Sequence, residues 1–306
     1  MESREHYYVV RPQQPVREQL EDGGMARIGM PNDRNFYFRG LNGWPQRPRI
    51  RGMTEVRGPF SSLMAPSNLQ DVLETMGQFM DGLRFSGGSF SLMPHDIVRQ
   101  LTRMAHNHDV YVSSGGWADH VLAQGPSVFR QYVQECKDLG FDAIEVNTDL
   151  IGLQEEDLLH LIRTIKSAGL KARPELGIKS AEDGIIHHSN YLGGFDARDP
   201  ESEGVNWVIR RAERFLEAGA DAVLIDSDGI TENVGNWRTD VIARVIERLG
   251  LEKIMFEAAD PRVFEWFIQN YGSKVNLFVD HSHLLQLEGL RSGIRGGRSV
   301  WGHFLL

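Results

Sequence analysis

The chain has 306 residues, of which 41% are hydrophobic, 9% aromatic and 25% charged, which excludes wholesale disorder and allows one large domain or two of ordinary size. Lys plus Arg number 33 against 42 Asp plus Glu, a formal net charge of −9. That balance argues against a nucleic-acid partner, which needs excess positive charge, but leaves room for a local cationic pocket holding a small anion. The one cysteine, Cys136, excludes an internal disulfide or a Cys-based zinc knuckle and fits a reducing compartment. No apolar run reaches ~18 residues and the start lacks a basic-then-apolar leader, so the expectation is a cytoplasmic protein with no membrane span.

In chain order, residues 1–48 come first. They carry Pro12, Pro15, Pro31 and Pro45 among scattered Arg, Gln and Asn, and predict a partly irregular N-terminal arm or extension. From residue 49 to 306 short apolar runs alternate with amphipathic stretches. Strands are expected at 53–57, 82–86, 110–114, 143–147, 171–176, 222–226, 253–257 and 275–279. Helices are expected near 68–80, 95–107, 127–138, 155–168, 205–218, 238–249, 261–271 and 282–290. In the third of these, Phe129, Tyr132, Val133 and Cys136 fall on one face of a 3.6-residue period, with Pro126 opening the helix and Gly140 closing it. Eight strand–helix units with continuously apolar strands indicate a parallel sheet covered on both faces. Over about 250 residues a (β/α)8 TIM barrel fits better than an open sheet, which would more often carry a dinucleotide fingerprint that is absent here.

Barrel chemistry gathers at the C-terminal strand ends. Those positions supply Glu145, Glu175, Asp226 and Glu257 on four successive strands, 4 to 7. Four converging carboxylates repel unless a cation sits among them, so a hard ion such as Mg2+ is the expected cofactor. Arg84, in the segment that ends strand 2, is expected to serve catalysis, and Arg173, near the end of strand 5, to contact the substrate; Lys179 follows strand 5, where a lysine with a lowered pKa can act as a general acid. The turns Ser86-Gly87-Gly88 and Ser114-Gly115-Gly116 can aim backbone N–H groups at an anion. Arg291 and Arg295, after strand 8, lie in the sector where barrels often bind phosphate. The pairs His281/His283 and His106/His108 lack further His or Cys partners and read as structural or solvated.

With these residues in view, the segments "GLRFSGGS", "VYVSSGGWADH", "ECKDLGFDAIEVN", "RPELGIK", "MFEAADP", "GSKVNLFVDHS" and "LRSGIRG", in this order, resemble the phosphosulfolactate synthase family and in particular its plant heat-stress-associated branch, over roughly residues 48 to 300. The resemblance implies a (β/α)8 barrel, a Mg2+ requirement, and addition of sulfite to phosphoenolpyruvate to give (2R)-2-O-phospho-3-sulfolactate, in a chain that is plausibly a homo-oligomer. Glu175, Gly177 and Lys179 match the family's Glu-x-Gly-x-Lys motif, whose lysine is the proton donor it implies. Glu145 and Glu257 match further family acids. Four positions depart from the synthase pattern: Arg84 stands for a lysine, Asp226 for a glutamate, Trp117 for a small residue, and Ser227 for an arginine. The alternatives are a catalytically diverged barrel acting in heat-stress tolerance through protein contacts, or a different enolate reaction on a phosphorylated acid.

Overall fold

A computed structural model describes residues 47–58, 65–147, 153–177 and 200–294, without the side chains of 200–203. The expected arm lies outside these residues apart from Arg47 and Pro48, as do Lys179 and Arg295. Eight strands form one closed parallel barrel in chain order: β1 Thr54–Arg57, β2 Gly82–Arg84, β3 Tyr111–Ser113, β4 Ala143–Val146, β5 Lys171–Leu176, β6 Val223–Ile225, β7 Ile254–Glu257 and β8 Leu277–Asp280. The ring closes where β1 pairs with β8, in register from Thr54↔Leu277 to Arg57↔Asp280. The expected (β/α)8 TIM barrel is thus the observed fold.

The helices among the described residues are α1 Pro66–Met76, α2 His95–His106, α3 Ala118–Leu122, α4 Pro126–Leu139, α5 Glu155–Ser167, α6 Pro200–Glu217, α7 Thr239–Leu249, α8 Pro261–Tyr271 and α9 Leu284–Arg291. α4 forms for the reasons its sequence gives. Pro126 occupies the first turn, where its missing N–H costs nothing, and Gly140 at φ +90° ends the helix in a conformation that a side chain would strain. Phe129, Tyr132, Val133, Cys136 and Leu139 are buried as one stripe, each worth about 1.5–3 kcal/mol when fully removed from water. A charged residue at Val133 would break that packing. α3, five residues long, is too short to show a period and was not expected.

The barrel interior is divided. Leu224, Met255 and Phe278, from β6, β7 and β8, form a small apolar cluster with Met53 against it. The side built by β1 to β5 is polar, with buried Glu55, Arg84, Glu145 and Arg173 and the Tyr111 hydroxyl bonded to Glu55 and Arg173.

At the N-terminal ends of the strands, α9 locks the seam. Arg291 is fully buried. It donates to the carbonyls of Gly52 at 2.5 Å and Val275 at 2.8 Å, and to Thr54 Oγ1 at 2.8 Å. Thr54 Oγ1 donates in turn to Glu288 Oε1 at 3.0 Å. Arg291 therefore does not serve the mouth as expected. It sits at the opposite end of the barrel, because a helix returning along the outside of β8 runs from the C-terminal strand ends back to the N-terminal ones.

Candidate active site

Three carboxylates gather at the C-terminal ends of β5, β6 and β7. One oxygen each from Glu175, Asp226 and Glu257 lies within 4.8 Å of the others. Adjacent parallel strands place them together: Glu175 is the penultimate residue of β5, Asp226 follows β6 directly, and Glu257 ends β7. Glu175 Oε2 accepts from Arg84 Nη2 and from Asn147 Nδ2, both at 3.3 Å. Asp226 Oδ1 accepts the backbone N–H of Asp228 at 3.0 Å. Glu257 Oε1 lies 3.5 Å from Arg57 Nη1, and Arg57 Nε lies 3.9 Å from Asp280 Oδ2.

Glu145 stands apart from this trio. Its Oε1 accepts from Arg84 Nη2 at 2.5 Å and it is almost fully buried. Burial, only partly opposed by Arg84, pushes its carboxyl well above the usual range, and Glu175 adds to the rise. Of the four acids expected to hold the ion, three converge and Glu145 instead holds Arg84. The guanidinium is lowered by burial, but Glu145, Glu175, Glu55 and Glu257 outweigh this and keep it charged. Its flat face lies 4.2 Å over the Phe278 ring, so the apolar half of the interior forms its floor.

Glu257 shows that the trio is under-compensated. Burial first, then the Asp226 charge, pushes its carboxyl up to about 7. An all-oxygen donor set with unbalanced negative charge suits a hard divalent cation that keeps some of its waters, so the residues present fit Mg2+.

Arg173 is not at this level. It pairs with Glu55 and donates to Tyr111 Oη at 2.7 Å, with its guanidinium 4.3 Å over the Tyr111 ring. It precedes Glu175 by two residues, hence the same face but about 6.6 Å deeper, and its expected contact with substrate gives way to a buried structural pair. The glycine turns also have packing reasons. Gly115, at φ +67°, lies so near Phe85 that an added Cβ would stand 2.0 Å from the Phe85 carbonyl oxygen. At Gly116 a Cβ would stand 3.0 Å from Glu145 Oε1, and at Gly88 2.1 Å from the Trp117 indole. Gly87 faces open space, and Ser86 Oγ donates to the Gly58 carbonyl at 3.2 Å.

Arg57, Asn147 and Asp280 had no assigned role in the expected site. The signal for Arg57 was present: it ends the first strand at the height of the other strand-end residues.

A closed parallel barrel whose strand ends gather a carboxylate trio backed by arginines is a TIM-barrel protein with a candidate metal centre where that class keeps its chemistry. The chain belongs to the (2R)-phospho-3-sulfolactate synthase (ComA) family, whose model matches residues 42–297. It is 49% identical over 251 residues to "Protein HEAT-STRESS-ASSOCIATED 32" of Arabidopsis thaliana, covering 81% of this chain and 88% of that protein. It is also 26% identical over 258 residues to the phosphosulfolactate synthase of Methanothermobacter thermautotrophicus, covering 82% and 92% respectively. The phosphosulfolactate synthase of Bacillus subtilis is 23% identical over 235 residues, with 74% and 84% covered.

Proposed function

We propose that this protein is a Mg2+-dependent, carbon–sulfur bond-forming lyase that adds sulfite to C3 of phosphoenolpyruvate and a proton to C2, giving (2R)-phosphosulfolactate. The observation that carries this reading is the trio Glu175, Asp226 and Glu257, with oxygens within 4.8 Å. A Mg2+ ion held there would supply positive charge for the enolate-like carboxylate that nucleophilic addition creates. The mouth gathers Glu145, Glu175, Asp226, Glu257 and Asp280 against Arg57 and Arg84, so a polyanionic substrate enters only with added positive charge. Arg84, held by two glutamates, fixes the floor on which the substrate rests. Lys179, two residues past Gly177, is assigned the proton delivered to C2, and Arg295, with the Gly87 turn, the contact with phosphate.

The chain is read as a cytoplasmic homo-oligomer working on small anions. No helix among the described residues is long and apolar enough to cross a membrane. The test is a direct assay for phosphosulfolactate from sulfite, phosphoenolpyruvate and Mg2+. Product requiring all three, and lost in Lys179→Ala, supports the reading.

A second reading rests on Arg84. Its guanidinium is already paired with Glu145 and Glu175, which favours a barrel that retains the cation centre but serves heat tolerance through protein contacts. It expects no turnover, and a heat-survival defect that Lys179→Ala and Glu175→Gln versions still rescue.

A further inference from the structure

We infer that Asn147 is a positioning residue for the metal centre: it fixes the rotamer of Glu175 so that one carboxylate oxygen is withheld and the other is presented to the ion. The inference rests on the metal reading above and adds to it a residue that ligates nothing.

Glu175 differs from its two partners in how it is held. Its Oε2 accepts two donors from different strands, Arg84 Nη2 of β2 and Asn147 Nδ2 just past β4, each at 3.3 Å. Asp226 Oδ1 accepts a backbone N–H at 3.0 Å, and Glu257 Oε1 lies 3.5 Å from Arg57 Nη1. Arg84 alone cannot set the direction of Glu175, because its Nη2 lies closer to Glu145, at 2.5 Å, and is shared. The amide of Asn147 makes the second bond, and two donors converging on one oxygen define an orientation that one shared donor leaves loose. Gly116 lies against Asn147: a Cβ there would stand 3.7 Å from Asn147 Cβ and 3.8 Å from its Nδ2, so the glycine turn after β3 bounds the amide on one side. An amide is also the right chemistry for the task. It donates without bringing a charge that would compete with the cation, as a lysine would, or add to the repulsion, as an aspartate would. Groups that orient a ligating carboxylate in this way typically contribute 10- to 100-fold in metal affinity.

The test uses the full chain and Mn2+ as the probe, with free ion followed by electron paramagnetic resonance and thermal melts run in parallel. The parent is expected to bind Mn2+, and Glu175→Gln to lose it. Asn147→Leu, close in size but without a donor, is expected to bind about 10- to 100-fold more weakly, with a melting temperature near that of the metal-free parent. Asn147→Ala carries the same expectation should the leucine variant fail to fold. Asn147→Gln, which keeps an amide, is expected to recover part of the affinity. The spectrum of the bound ion should broaden in Asn147→Leu and Asn147→Ala, as the freed carboxylate samples more than one orientation, a change that simple loosening of the fold would not confine to the ion. A parent that binds no Mn2+ removes the metal reading and this inference together. A parent that binds it while both donor-less variants bind it equally well removes the inference alone.

Discussion

Replacing Glu257 by glutamine in the metal-free protein is expected to raise its stability above neutral pH. Burial and the neighbouring Asp226 move this carboxyl from 4.5 up to about 7. Between those values the folded state holds a proton that the unfolded state has released, so stability falls as pH rises through the window and the full cost is reached above about pH 7. At about 1.4 kcal/mol per pH unit the interval corresponds to roughly 3 kcal/mol. The attraction of Arg57, 3.5 Å away, is already contained in that net rise, so glutamine, which stands in for the protonated acid, is expected to gain about 3 kcal/mol at pH 8, and little at pH 5. Urea unfolding of parent and Glu257→Gln at both pH values, with a chelator present, measures the difference directly. Mg2+ at 1,000 times its Kd should reverse the order at pH 8, because only the parent keeps all three ligands and binding at that concentration adds about 4.1 kcal/mol. A Glu257→Gln protein whose stability relative to the parent is the same at pH 5 and pH 8 would refute the reasoning.

Two further outcomes follow from the packing. Arg291→Met is expected to cost about 3–5 kcal/mol by stranding buried Glu288 without its counter-charge, and Glu288→Gln added to it should recover a substantial part; strictly additive losses in a double-mutant cycle would contradict this. Gly115→Ala should cost about 1–2 kcal/mol for its left-handed backbone alone, plus whatever shift relieves a Cβ 2.0 Å from the Phe85 carbonyl, and a urea midpoint equal to the parent's would rule that out.

The strands and most helices were legible because their periods are local. β5 and α8 run over the expected residues, Lys171–Leu176 and Pro261–Tyr271. β8 begins two residues later than its apolar run suggests. Asn276 explains the delay: its Oδ1 accepts from Met53 N–H at 2.9 Å, and its Nδ2 donates to Leu251 O at 2.8 Å and Ile254 O at 3.1 Å, so it ties the base of the barrel together before pairing starts. The carboxylate trio was legible for the same reason as the strands, since each acid lies within one residue of a strand's end. What sequence withheld was partners. Nothing local says that Arg173 meets Glu55 across the barrel, that Arg291 reaches Gly52, or that Glu145 is taken by Arg84 before any ion could claim it. The depth of Arg173 was readable in principle, because two residues along one strand keep the face and change the layer.

The clamp formed by Arg291 bears on how the molecule is born. Its partner Gly52 lies 239 positions earlier in the chain, and the first strand finds its last neighbour only when β8 arrives. A nascent polypeptide emerging from the ribosome thus carries two raw sheet edges until the last strand of the barrel has been made, and ring closure is a long-range event of the slow kind. The open-edged precursor, rather than the finished barrel, is the species most exposed to self-association when temperature rises.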